Sequence, residues 1–187
     1  RVILLTDDDH KRAVTEFVNR GNKDQLSDPA WRDELFSWIR SNDRESVETG
    51  DGLSGRTSGQ PSVPTWLARL LLPVLVRPKS QMKTDAANIR SSAGVAVFVT
   101  KDDDEAAWVD AGRCYERFAL QATALGVSNA FINQPIEVPA LRPEFERWLG
   151  LEGEHAQLMI RFGTGPQMPF SVRRPLDDVI VSTGTNS

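Results

Sequence analysis

The segment Gly94-Val95-Ala96-Val97-Phe98-Val99-Thr100 constrains the fold more than any other part of the chain. Seven residues without polar alternation read as a strand buried on both faces, and such a strand needs covering layers on either side of its sheet. One cover is written immediately downstream. Asp102-Asp103-Asp104 supply an N-cap and a negative start for a helix. Trp108, Ala111, Tyr115, Phe118, Ala122 and Leu125 then recur at spacings of three and four, the stripe of a helix lying against a partner. Ala107, Gly112, Cys114, Ala119 and Ala124 surround that stripe, so the helix is expected to be central and packed on several sides, with Gly126 as its stop.

Other elements follow from the same reasoning. Val2-Ile3-Leu4-Leu5 reads as a buried strand ending in Asp7-Asp8-Asp9. A helix follows with Ala13, Val14, Phe17 and Val18 on one stripe and Gly21 as its stop. Asp28-Pro29 opens the next helix, whose apolar face is Trp31, Leu35, Trp38 and Ile39. From Ser41 to Pro64 the chain turns to Gly, Ser, Asp, Thr and Pro, which predicts a long loop or lid whose one compact turn is Asp51-Gly52-Leu53. Residues 64–76 read as a helix kinked or ended by Pro73, and Gln81 to Arg90 as helix-compatible. A short helix from Leu141 to Leu149 and a strand from Gln157 to Phe162 complete the list. Strands mixed with longer helices place the chain among the α+β or α/β layered folds.

Composition narrows the function by exclusion. A net charge of -4, with arginines scattered along the chain, argues against a nucleic-acid surface. Cys114 is the one cysteine, which removes a disulfide framework and a thiolate cluster and suits a cytoplasmic, reducing setting. His10 and His155 lie far apart, so no metal site is expected. The most apolar run, Val63 to Val76, is broken by Arg69 and Pro73 and is too short to span a bilayer. No P-loop or nucleophile elbow is present, and Gly163-Thr164-Gly165 lacks the third glycine of a dinucleotide fingerprint. Trp31, Trp38 and Trp108 sit on apolar stripes and are expected in the core, as is Cys114. No catalytic acid, base or nucleophile is assigned.

The order of segments then matters. Strand Gly94–Thr100, acidic cap, helix, Gly126, the stretch Phe131-Ile132-Asn133-Gln134-Pro135-Ile136-Glu137, strand Gln157–Phe162, Gly163 and Arg173-Arg174-Pro175 resemble the second half of a nitroreductase domain. Upstream, Asp28-Pro29-Ala30-Trp31-Arg32-Asp33-Glu34-Leu35, Trp38-Ile39-Arg40 and Asp51-Gly52-Leu53 resemble the Acg-like branch of that family. Order and spacing carry the likeness, without one decisive motif.

The resemblance implies an α+β sandwich, a central mixed sheet flanked by helices, as a single domain over residues 1–187 that forms a homodimer. It implies FMN in a cleft, reduced by NADH or NADPH and passing electrons to nitro or quinone-type acceptors. The cofactor carries such chemistry, so the lack of a catalytic motif is no objection. By the same likeness, Phe131, Ile132, Asn133 and Gln134 approach the flavin ring, while Arg173 and Arg174 contact its phosphate, a task that suits guanidinium. Read without the family, the first group is an ordinary helix-to-strand loop and the second a solvated pair. The family's N-terminal phosphate site and its Asn-x-Gln-Pro-Trp-like loop have no counterpart here, so the chain reads as a C-terminal part. Two rival functions accompany the oxidoreductase: a non-catalytic flavin-binding protein closed by the 41–64 lid, and a structural or interaction domain without cofactor.

Overall fold

A computed structural model describes residues 1–58, 62–75 and 77–180. In chain order the elements are β1 (Val2–Leu5), α1 (Asp8–Ser27), α2 (Pro29–Trp38), β2 (Ile39–Arg40), α3 (Asp43–Thr49), β3 (Leu53–Ser54), α4 (Thr65–Leu75), α5 (Pro78–Ser91) and β4 (Gly94–Thr100). Then come α6 (Glu105–Ala124), β5 (Ser128–Phe131), α7 (Gln134–Glu137), α8 (Arg142–Trp148) and β6 (His155–Gly163), with 3-10 turns at Gly55–Ser58 and Leu176–Asp178. They divide into two compact units, Arg1–Pro29 with Val76–Pro166, and Ala30–Leu75 with Gln167–Ser187.

The first unit is built on a four-stranded sheet of order β1-β4-β6-β5, antiparallel at every pairing. As expected, β4 lies inside it and is buried on both faces. Side chains alternate across a strand, so Val95, Val97 and Val99 face one layer while Ala96 and Phe98 face the other. On the valine side they join Val14, Phe17 and Val18 of α1, Ile89 of α5, and Phe145 of α8. On the other side Ala96, Phe98 and Ile160 meet Cys114, Tyr115 and Phe118 of α6, whose N-cap Asp104 accepts from the Ala107 N–H. The result is helices on both faces of one sheet.

Four local expectations change. β1 is an edge strand, not a buried one: Val2 and Leu4 stand opposite Phe98 and Ala96, on the α6 side. α6 packs on β4, β5 and β6, so Leu4 stays 57% exposed. α6 itself is peripheral; among its described residues only Ala111 and Ala122 are fully buried, and Val109 and Leu120 face outward. Small side chains on several faces therefore marked an open helix face, not close packing. α1 runs straight through Gly21 to Ser27. Residues 128–131 form the edge strand β5 where a loop was expected, and Gln134 begins the helical turn α7.

The second unit holds α2, a parallel β2–β3 pair, α3, α4 and the tail. Much of the stretch expected as a loop is structured. Asn42 caps α3 by accepting from the Glu45 N–H, Glu45 reaches back to the Ser41 N–H, and Gly50 closes the helix in the left-handed region at φ 64°. α4 continues past Pro73 to Leu75. Residues 59–61 of the expected loop, and Val76, the last residue of the expected helix, lie outside the described residues.

Candidate functional site

The Phe131–Gln134 segment sits at the outer edge of the first unit's sheet. Ile132 is buried and its N–H donates to the Met159 carbonyl at 3.0 Å, while Asn133 Oδ1 accepts from the Met159 N–H at 2.7 Å. The Asn133 carbonyl then accepts from Ile136 and Glu137, turning the strand into α7. Phe131 is 49% exposed, with its ring 4.6 Å from that of Tyr115. The segment is thus a fixed strand-to-helix turn with an aromatic ring at its rim.

Behind it runs a polar chain that sequence reading missed. The Gln134 amide donates to Asn22 Oδ1 at 3.2 Å, and Asn22 donates to Asp85 Oδ2 at 2.7 Å. Gln81 donates to both Asp85 oxygens at 3.1 Å, so among the described residues the side chains that hydrogen-bond this buried carboxylate are amides. Gln25 reaches Glu137 at 2.8 Å, further tying α1 to α7. The signal was available: Asn22 and Gln25 continue the stripe of Val14 and Val18 on α1. Gly21 belongs to the same contact. A Cβ there would lie 2.6 Å from Gln134 Cβ and 3.0 Å from Gln134 backbone atoms, so only glycine admits α7 this closely.

Arg173 and Arg174 lie in the other unit, both exposed. The stem of Arg174 lies over Gly50, with Cγ 3.1 Å from where a Cβ would stand. Asp51 is nearby; its carboxyl is held below the usual range first by the Arg40 hydrogen bond, with smaller help from Thr49 and the charges of Arg40 and Arg174. Arg40 grips Asp51 at 2.6 Å and donates to the Ser37 carbonyl at 2.7 Å. The sequence-predicted cofactor residues therefore fall into two groups, one in each unit.

The second unit also carries an open cleft of about 480 Å³, lined by Trp31, Glu34, Leu35 and Trp38 of α2 with Gly52 and Leu53. Trp38 is 48% exposed and Trp31 half-buried, against the expectation of core tryptophans. α2 has no fully buried residue, so its apolar face lines a cleft. Trp108 departs in the same way, at 53% exposed. Its indole donates at 2.8 Å to Asp103, which also takes both Arg142 Nη atoms and the Gln157 amide. These donors, Trp108 foremost, pull the Asp103 carboxyl down to about 2. Cys114 is half-buried against the Phe98 cluster.

No family model matches the sequence, and no curated protein matches it. Solved structures do. The nitroreductase-like family protein from Bacillus cereus superposes with a TM-score of 0.50 at 10% identity, over 97% of this chain and 71% of that one. The FMN-dependent nitroreductase NfnB from Mycobacterium smegmatis, in complex with NADPH, gives 0.55 at 14% identity, over 97% and 77%. The chain has the nitroreductase-like fold. At these identities the likeness is one of architecture, a helix-flanked antiparallel sheet. Among the described residues no helix is long and apolar enough to cross a membrane, and no three His, Cys, Asp or Glu residues are grouped to hold a metal.

Proposed function

We propose that this chain is an FMN-dependent oxidoreductase, of the Acg-like branch, passing electrons from reduced nicotinamide to nitro or quinone-type acceptors as a cytoplasmic homodimer. The observation that carries the reading is the fold shared with an FMN-dependent nitroreductase solved with NADPH. The side chains present suit such a cofactor. Arg173 is exposed and makes no ion pair among the described residues, which leaves its planar fork free for a phosphate. Arg174 is the lesser of the two, because its charge already faces Asp51.

Bound FMN would supply the hydride-accepting ring. The chain's part is to orient and hold. Ile132 and the Asn133 side chain fix the Phe131–Gln134 backbone against Met159, so that a peptide N–H can be presented without reorganisation. Phe131 offers an apolar ring at the rim, and the buried Gln134–Asn22–Asp85 chain keeps α7 from shifting. Residues 41–64 are the proposed lid.

The test is the visible absorption spectrum of the chain after equilibration with FMN and desalting. A retained flavin band that weakens in R173A/R174A, with oxidation of reduced nicotinamide when a quinone is added, is the expected result. A retained band without turnover would favour a flavin-sequestering protein. Folded, colourless protein would leave the structural or interaction role.

A further inference from the structure

The cleft in the second unit has a chemistry of its own. Trp31 and Trp38 stand two helical turns apart on α2 with Leu35 between them, so two indoles and an apolar floor share one face. Gly52 lines the cleft without a side chain, and a Cβ there would sit 2.6 Å from the Trp38 carbonyl. Its φ of 80° suits glycine, so backbone conformation and space agree. Leu53 also lines the cleft and is 56% exposed. A space of about 480 Å³ lies within the range of small-ligand sites, which are mostly apolar and aromatic with few polar groups.

Among the described residues one charge lines this cleft, and it is negative. Glu34 is exposed on the same helix and its carboxylate makes no ion pair among the described residues. Arg40, packed against Gly52, is held by Asp51 and by carbonyl oxygens, which offsets its charge. Indole faces attract cations, and an unpaired carboxylate beside them adds to that attraction while repelling anions. We infer that the α2–β3 cleft binds a planar aromatic cation, its ring against Trp31 and Trp38 and its charge toward Glu34. Every residue that lines the cleft belongs to the second unit, and neither the Phe131–Gln134 segment nor Arg173 and Arg174 are among them.

The test is calorimetric titration of the full chain with N-methylacridinium and, separately, with acridine-9-carboxylate, a ring of the same size bearing the opposite charge. Saturable binding of one cation per chain is expected, with the anion at least about tenfold weaker. E34Q should weaken the cation by about two- to fivefold, as befits a rim carboxylate. E34K should weaken it further and strengthen the anion. W38A should lower cation affinity by more than about tenfold, since it removes both apolar contact and the ring quadrupole. Glu34 is exposed, so its two variants keep the test alive if W38A fails to fold. Equal affinity for the two probes, or unchanged cation affinity in E34K, overturns the proposal. The reading survives or fails without reference to FMN retention.

Discussion

Replacing Gly21 by alanine sets two physical arguments against each other. Gly21 lies inside α1, where a helical Gly→Ala change ordinarily gains about 1 kcal/mol. The new Cβ, however, would stand 2.6 Å from Gln134 Cβ and 3.0 Å from the Gln134 carbonyl carbon and oxygen. Backbone cannot rotate aside as a flexible side chain can. Restoring an ordinary separation of about 3.5 Å requires α7 to retreat by about 1 Å. Overpacking of this kind costs about 1–3 kcal/mol, and straining the Gln134–Asn22 hydrogen bond adds about 1 kcal/mol. Set against the propensity gain, the net loss is about 1–3 kcal/mol. Urea unfolding followed by far-UV circular dichroism measures it. G112A supplies the control: it too lies in a helix, yet nothing stands within 4 Å of its Cβ, so it should gain about 0.5–1 kcal/mol. A G21A protein as stable as the parent, with an unchanged denaturant slope, would refute the close approach of α7.

Two further perturbations probe the polar network and the acid side of the stability profile. D85A removes the acceptor for the buried Asn22 amide and the half-buried Gln81 amide, at a cost of about 1–3 kcal/mol by the same urea assay; a loss under about 0.5 kcal/mol would mean that water replaces the carboxylate as their acceptor. Asp103 is depressed from 3.8 to about 2, so its contribution is full above its unfolded value and is lost as pH falls through about 2. The Tm gap between the parent and D103N should therefore narrow between pH 4 and pH 2, and a constant gap would show that the Trp108, Gln157 and Arg142 contacts do not stabilise the carboxylate.

Much of the layered fold was legible because its strongest signals are local. The unbroken apolar run of β4 and the Asp104 cap of α6 each state their structure within a few residues. β5 was not legible, since Ser128-Asn129-Ala130-Phe131 is only four residues long and half polar, and takes its strand form from pairing with β6. Gly21 misled because a glycine that stops a helix and one that admits a neighbour look alike until the neighbour is known. The tryptophans misled for a related reason: an amphipathic stripe shows which face is apolar, not whether a layer covers it. In the candidate site the anchoring of Asn133 by Met159 joins residues 26 positions apart and could not be read from residue type.

The pairing of α1 with α5 has a bearing on how such a chain can change. Lys11 near the start of α1 reaches the Ser92 carbonyl just beyond the end of α5, while Asn22 late in α1 meets Asp85 in its middle. The two helices therefore run antiparallel, and the chain departs and returns at the same end of the pair. They form a helical hairpin whose turn has been replaced by a subdomain. Doubling the length of such an excursion adds only about 0.6 kcal/mol of closure entropy. Descendants of one ancestor could thus enlarge, trim or exchange that insert, and with it the aromatic cleft, without altering a single strand pairing in the sheet.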